Sequence, residues 1–432
     1  MATKVSSAKK LTYSFSQVGV NLLWQAFNTV AVFYYVTVLH VSGTIISIAM
    51  IVYGIMNAFL NLFAGHLSDR TNTRMGRRIP YIVFGSLPFA VLFYFLFHPL
   101  VSHGYLIYFL IVTILFDTAF TFSVLNVGAL YPEMYQSKSD RSYVSALQQF
   151  FGILGMIVGV ALSKSLGQSL GWGKMAAIFA GIAIVSLYVS LYGSFENPAY
   201  REESLPWKQA ITETFRNRRF VVYVLASLLV QLITTMFVSL SSFYTKYVVS
   251  LSATQGSIFL GSVFLVAIPM SFLWARISVK RTAVRATLAA TALYGIFALL
   301  FLFDHNPIMV IVTGALLGIP VAGFMVLLNV LLAEVIDYDA ALTGKRREGM
   351  YLGMNGFIVR IGMSIQYGIM ALFFSLSHFN SALSHQPVSA IHGFRFLIGG
   401  LPLIVLLISF WLLKKYQKYT EVKSEAQSNM GA

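Results

Sequence analysis

Residues 65–80 read Gly-His-Leu-Ser-Asp-Arg-Thr-Asn-Thr-Arg-Met-Gly-Arg-Arg-Ile-Pro, a dense polar loop between two long apolar runs at 45–64 and 81–97. Each run comes close to the ~20 residues that carry a helix across a ~30 Å hydrocarbon core. The loop sets Arg70, Arg74, Arg77 and Arg78 against one acid, Asp69. Short loops rich in arginine face the cytoplasm. The stretch therefore reads as the inner turn of a membrane hairpin.

Composition extends that reading to the whole chain. Its 432 residues are 57% hydrophobic and only 10% charged, with a mean hydropathy of +0.75. Soluble domains carry about 25% charged residues, so a soluble enzyme is excluded. The net charge of +15 does not imply nucleic acid, because the basic residues recur at the intervals of the apolar runs and form no single patch. With no cysteine there is no disulfide and no thiolate metal site. Lys4, Lys9 and Lys10 run straight into the first apolar stretch with no small-residue cleavage site. We read an uncleaved first helix.

Twelve spans are expected, near 13–39, 45–66, 80–98, 105–130, 143–166, 174–195, 219–248, 255–275, 284–303, 307–335, 350–376 and 391–413. With the N-terminus inside, twenty-five of the thirty lysines and arginines fall on the inner side, which predicts that both termini are cytoplasmic. The polar stretch 196–218 divides a six-span half, 1–195, from a second, 219–413, followed by a tail, 414–432. The halves echo each other. Glu133, Arg141 and Tyr143 mark the passage from the fourth to the fifth span; Glu334, Arg346, Arg347 and Tyr351 mark the passage from the tenth to the eleventh. Arg276, Lys280, Arg281 and Arg285 repeat the 65–80 loop in degraded form. Two parallel six-helix halves are the layout of the major facilitator fold, an all-α membrane architecture.

Three motifs narrow the reading. They are Asp69-Arg-Thr-x-Thr-Arg-x-Gly-Arg-Arg-x-Pro80, then Asn126-Val-Gly-Ala-Leu-Tyr-Pro-Glu133 with Asp140-Arg141-Ser142, and Ala333-Glu-Val-Ile-Asp-Tyr-Asp339 with Thr343-Gly-Lys-Arg-Arg-Glu-Gly349. In this order and at these spans the chain resembles the glycoside–pentoside–hexuronide symporters, the melibiose permease-like family. The resemblance implies uptake of a sugar or sugar acid coupled to Na⁺, Li⁺ or H⁺. It also implies a cation site of carboxylates on the first, second and fourth spans. The matching positions here are Asn21, Asn57, Asn61 and Asn126, all amides. An amide can ligate a cation but cannot neutralise it, and an uncompensated charge in a low-dielectric site is costly. The family's fifth-span arginine matches Gln149, and Arg360 stands where the family has a lysine. The expectation is a transporter that sodium does not drive, either a facilitator or a proton-coupled carrier.

The residues inside the spans point the same way. Gln17, Asn21, Gln25 and Asn28 share one face of the first span, and Asn57 and Asn61 share one face of the second. Buried amides either tie helices together or line a wet cavity, and amides beside Trp24 and Tyr34 suit sugar hydroxyls. We expect the solute site to comprise Asn21, Gln25, Asn57, Asn61, Asn126, Gln149 and Arg360. Asp117 lies about 18 Å along the fourth span and Arg360 about 15 Å along the eleventh, both near the midplane. Asp117 is nine residues before Asn126, half a turn off its face. Three roles stay open for Asp117: a proton-coupling group, a packed partner within the first bundle, or a partner of Arg360. Glu334 is the second coupling candidate.

The inner loops carry charges of both signs: Asp69 with Arg70, Arg74, Arg77 and Arg78; Glu133 with Arg141; Glu334, Asp337 and Asp339 with Lys345, Arg346 and Arg347. They are expected to form a cytoplasmic gate, although solvated topogenic charge explains part of the pattern. Seven of the eight histidines fall on the outer side without metal-ligand spacing. Gly152, Gly155 and Gly159 predict close helix packing. We find no nucleophile–base set and no phosphate-cradling loop. The expected partners are a sugar-like solute, protons and the bilayer, with no cofactor, metal or nucleic acid, and a monomer is expected. Two alternatives remain: a carrier of hexuronides or other organic anions that uses Arg360, and a non-transporting solute receptor.

Overall fold

The computed structural model describes residues 5–71, 73–135, 137–196, 212, 214–304, 306–343, 348–383 and 385–430. Helices account for every long element. They are α1 Ser7–Phe33, α2 Gly43–Arg70, α3 Ile79–Phe97, α4 Tyr105–Met134, α5 Lys138–Ile157, α6 Ser163–Leu170 and α7 Trp172–Gly193 in the first half. In the second half they are α8 Arg218–Tyr247, α9 Ala253–Arg281, α10 Ala283–Leu299, α11 Pro307–Thr343, α12 Glu348–Leu376, α13 Val388–Arg395 and α14 Leu401–Met430. π turns at Tyr34–Val38, Val158–Leu162 and Phe396–Gly400 extend α1, join α5 to α6 and join α13 to α14. Those two joined pairs complete the fifth and twelfth expected spans.

Eleven of the described helices are long and apolar enough to cross a membrane. The first, α1, is not among them: its lysines and amide stripe lower its hydropathy, although its 27 residues suffice in length. The helices also outrun the expected spans. Asp69 and Arg70 sit on the last turn of α2, and Asp337 and Asp339 on the last turns of α11, where loops were expected. No glycine or proline interrupts 324–343, so nothing stops that helix before Gly344.

The chain forms two compact units. One comprises Met1–Ser204, Met370–Ser375 and Asn380–Ser384, the other Leu205–Ile369, Leu376–Phe379 and His385–Ala432. In the first, α1 packs on α5 and α7, α3 on α4 and α7, and α2 on α4. Close approach of α1 and α5 depends on glycine. A Cβ at Gly155 would lie 2.3 Å from the Val18 carbonyl, and one at Gly159 2.5 Å from that of Leu22. An aromatic core of Phe27, Tyr53, Phe89 and Phe116 fills the space among α1, α2, α3 and α4.

The second unit repeats the plan, with α11 against α9 and α10, and α14 against α8 and α10. One bond shows the repeat at atomic level. In the first unit the Tyr13 hydroxyl of α1 donates to the Val127 carbonyl of α4 (2.6 Å). In the second the Tyr223 hydroxyl of α8 donates to the Leu328 carbonyl of α11 (3.0 Å). Both tyrosines are buried.

Candidate functional site

Among the described residues, the carboxylate deepest within the first bundle is tied to α2. Asp117 of α4 accepts from the Asn57 amide (2.5 Å) and from the Tyr53 hydroxyl (3.2 Å). All three are at least 98% buried. Tyr53 and Asn57 are four residues apart on α2, so one helix face presents both donors to one acid. Asp117 is thus bonded to α2 within the first unit. A groove of about 320 Å³ opens over this cluster between α2 and α4. Ile55, Met56, Phe59 and Phe63 form its exposed apolar rim, and Tyr53, Asn57 and Asp117 lie deepest.

The other amides are placed as follows. Asn21 is half-buried on α1, donates to the Gln17 carbonyl (3.0 Å) and side chain (3.2 Å), and faces Gly152 of α5. Gln25 is half-buried beside Gly159. Asn126 is fully buried; its amide donates to the Phe122 carbonyl (2.8 Å), and its oxygen has no partner among the described residues. Gln149 is exposed on α5. Trp24 stacks on Phe120 at 4.5 Å. In the second unit, Arg360 is half-buried on α12 and donates to the Gly356 carbonyl (3.1 Å). Glu334 is exposed and feels the Arg219 guanidinium, which lies 3.5 Å over the Tyr338 ring. The Asn61 side chain lies outside the described ones.

The 65–80 loop and the acids near it make a second constellation in the first unit. Glu133 was expected to pair with Arg141, whose side chain lies outside the described ones. Arg77 and Arg78 both reach the Glu133 carboxylate, Arg78 at 3.3 Å. The turn at Gly76 aims both arginines back at the end of α4, so they reach Glu133. Burial pushes the Glu133 carboxyl above the usual range, and the pull of Arg78 and Arg77 opposes it. The side chains of Asp69, Arg70 and Arg141 lie outside the described ones, as do residues 344–347 with Lys345, Arg346 and Arg347. Arg74 and Asp337 are exposed, and Asp339 is buried.

Sequence reasoning missed two partners here. Lys10 of α1 forms an ion pair with Asp140 in the first turn of α5. Glu196, just past α7, accepts from the backbone N–H groups of Arg77 (2.9 Å), Arg78 (2.7 Å) and Ile79 (3.1 Å). An acid placed directly after an apolar span was the one available signal for Glu196. Its partners lie 117–119 residues away, beyond the reach of any local pattern.

Residues 12–418 match the family described as MFS/sugar transport protein. The chain belongs to that family. Within it, the chain is 27% identical over 405 residues to the isoprimeverose transporter of Lactiplantibacillus pentosus, covering 89% of this chain and 84% of the relative. It is 25% identical over 438 residues to the glucuronide carrier protein homolog of Escherichia coli K12, covering 96% and 94%. The fold matches an inward-facing, occupied structure of a bacterial homolog of the human lysosomal transporter Spinster. The TM-score there is 0.71 at 12% identity, over 95% of this chain and 96% of that one. This MFS/sugar transport chain is therefore a multi-pass membrane transporter with the major facilitator fold. The transporter reading and the sugar-symporter resemblance stand; an enzyme is excluded by the company the chain keeps.

Proposed function

We propose that the protein carries a sugar or glycoside across the cytoplasmic membrane by alternating access, with both termini inside, and that protons at Asp117 rather than sodium ions drive it. The observation that carries this reading is the Asp117–Asn57–Tyr53 cluster. An acid buried at membrane depth is expensive and marks a functional site by default. Among the described residues no cluster of carboxylates that could strip and hold a metal cation surrounds it; it bonds an amide and a phenol.

Proton binding would rewire this cluster. Ionised, Asp117 only accepts, and it satisfies both α2 donors. Protonated, it gains an O–H donor and loses part of its acceptor capacity. Either change alters the bond between α2 and α4, two helices that pack on each other. The half-buried amides Asn21 and Gln25, with Asn126, Gln149 and Trp24, supply the donors, acceptors and ring faces that sugar hydroxyls need.

Uptake of a labelled sugar panel into proteoliposomes tests this reading. Accumulation above equilibrium is expected with an imposed proton gradient and not with a sodium gradient. Stimulation by Na⁺ that is lost in Asn57→Ala would refute it.

A second reading concerns cargo. The half-buried Arg360 guanidinium can pair bidentately with a carboxylate, and one relative is a glucuronide carrier homolog. Competition by uronic acids but not by neutral sugars, lost in Arg360→Gln, would favour it.

A further inference from the structure

Glu196 is the best-anchored charged residue that this mechanism does not yet use. Its carboxylate fills a shape built for it. Gly76 adopts φ +103°, a conformation that favours glycine, and a Cβ there would lie 2.4 Å from the Glu196 oxygen. The turn is closed from within: the Gly76 N–H donates to the Thr73 carbonyl (3.0 Å), and the Thr73 hydroxyl donates to the Gly76 carbonyl (2.6 Å). Three successive N–H groups then converge on the one carboxylate at the start of α3. Such a concave run of amides, together with the positive end of a helix, favours an anion.

The other side is held as firmly. Phe195 donates its N–H to the Met134 sulfur (3.2 Å) and lies under the Lys9 ammonium at 5.6 Å. Its ring packs against the buried cluster of Tyr13, Ile82, Val127 and Leu130. Glu196 is thus fixed to the bundle, and the segment that runs on to α8 begins directly after it.

We infer that Glu196 is a positioning residue of the cytoplasmic gate. Its carboxylate holds the 77–79 backbone in the one register that lets both Arg77 and Arg78 close on Glu133. It does so from just past α7, the last helix of the first half. This rests on the expectation that the inner charges, Arg77, Arg78 and Glu133 among them, form a cytoplasmic gate that opens and closes during transport.

The test uses the full chain in inside-out vesicles. The protein has no cysteine, so Ser145→Cys provides a single thiol. Ser145 is exposed on α5, one turn before Gln149 on a polar face. Labelling by a membrane-impermeant maleimide reports opening toward the cytoplasm. Glu196→Gln removes the charge. Gly76→Ala instead puts a methyl group where the carboxylate sits, which keeps the result interpretable if one variant folds poorly. Each is expected to speed labelling by about fivefold or more, the usual size of a coupling between two conformational states. Neither should add to the acceleration seen in Glu133→Gln, because all act through one cluster. If Glu133→Gln speeds labelling and the other two do not, Glu196 is no positioning residue, whereas the gate stands. Additive effects also overturn the inference. If Glu133→Gln leaves labelling unchanged, the gate itself falls and takes the inference with it.

Discussion

Replacing Asp117 separates its structural from its chemical role. Asp117→Ala leaves two buried donors, the Asn57 amide and the Tyr53 hydroxyl, without their acceptor. A stranded buried donor costs about 1–3 kcal/mol in soluble proteins, whereas hydrogen bonds in membrane bundles average about 0.6 kcal/mol. Tyr53 and Asn57 are 1% and 2% exposed and also bond each other, at 3.4 Å. We therefore expect a loss of about 2 kcal/mol, which lowers the unfolding midpoint by about 4–8 °C for a unit of some 200 residues. Asp117→Asn keeps an oxygen acceptor in the same place and should lose less than about 1 kcal/mol. The assay is thermal unfolding of purified protein in one detergent, with Asn57→Ala and the double variant included. In Asp117→Ala, adding Asn57→Ala should cost almost nothing more, because the bond is already gone. Fully additive losses, or an Asn variant as unstable as the Ala variant, would refute the cluster as described.

Three further outcomes follow from particular contacts. Gly159→Val pushes side-chain carbons into the Leu22 carbonyl, which a Cβ alone would approach to 2.5 Å, and overpacking of this kind costs about 1–3 kcal/mol; the yield of monodisperse protein should fall, and an unchanged yield would contradict the α1–α5 contact. Tyr13→Phe and Tyr223→Phe each remove one buried hydroxyl bond, so each should cost about 1 kcal/mol and the two should add; strongly unequal unfolding midpoints would contradict the repeat. Arg360→Gln should leave neutral-sugar uptake within about threefold of the parent while removing any inhibition by uronic acids, since only the charged pair is lost; equal loss of both would place Arg360 in the helix framework.

Much of this molecule could be read from its residues, and the reason differs from place to place. The spans were legible because hydrocarbon thickness imposes one length on every apolar run, and the loops between them because clustered lysine and arginine interrupt those runs. The start of α1 was harder: its amide stripe hides a helix from any hydropathy measure, and only its spacing of four, four and three reveals it. The half-turn offset between Asp117 and Asn126 turns the acid away from Asn126 along α4. It could not say that Asn57 would be its partner, since that depends on how α2 is rotated against α4. Pairing Glu133 with Arg141 followed nearness in sequence; that Arg77 and Arg78 reach Glu133 depends on the left-handed turn at Gly76, which no local pattern reveals. Glu196 was invisible for the same reason. Its role exists only once the 73–79 turn and the end of α7 are brought together.

The most direct measurement compares wild type and Asp117→Asn in one proteoliposome system, with sugar accumulation under an imposed pH gradient set beside sugar exchange at equal pH. For one proton per sugar, each pH unit is worth about 1.36 kcal/mol, or tenfold accumulation. The wild type should approach that value. The variant should equilibrate without accumulating while it still exchanges sugar. A variant that accumulates as well as the wild type would contradict proton coupling through Asp117.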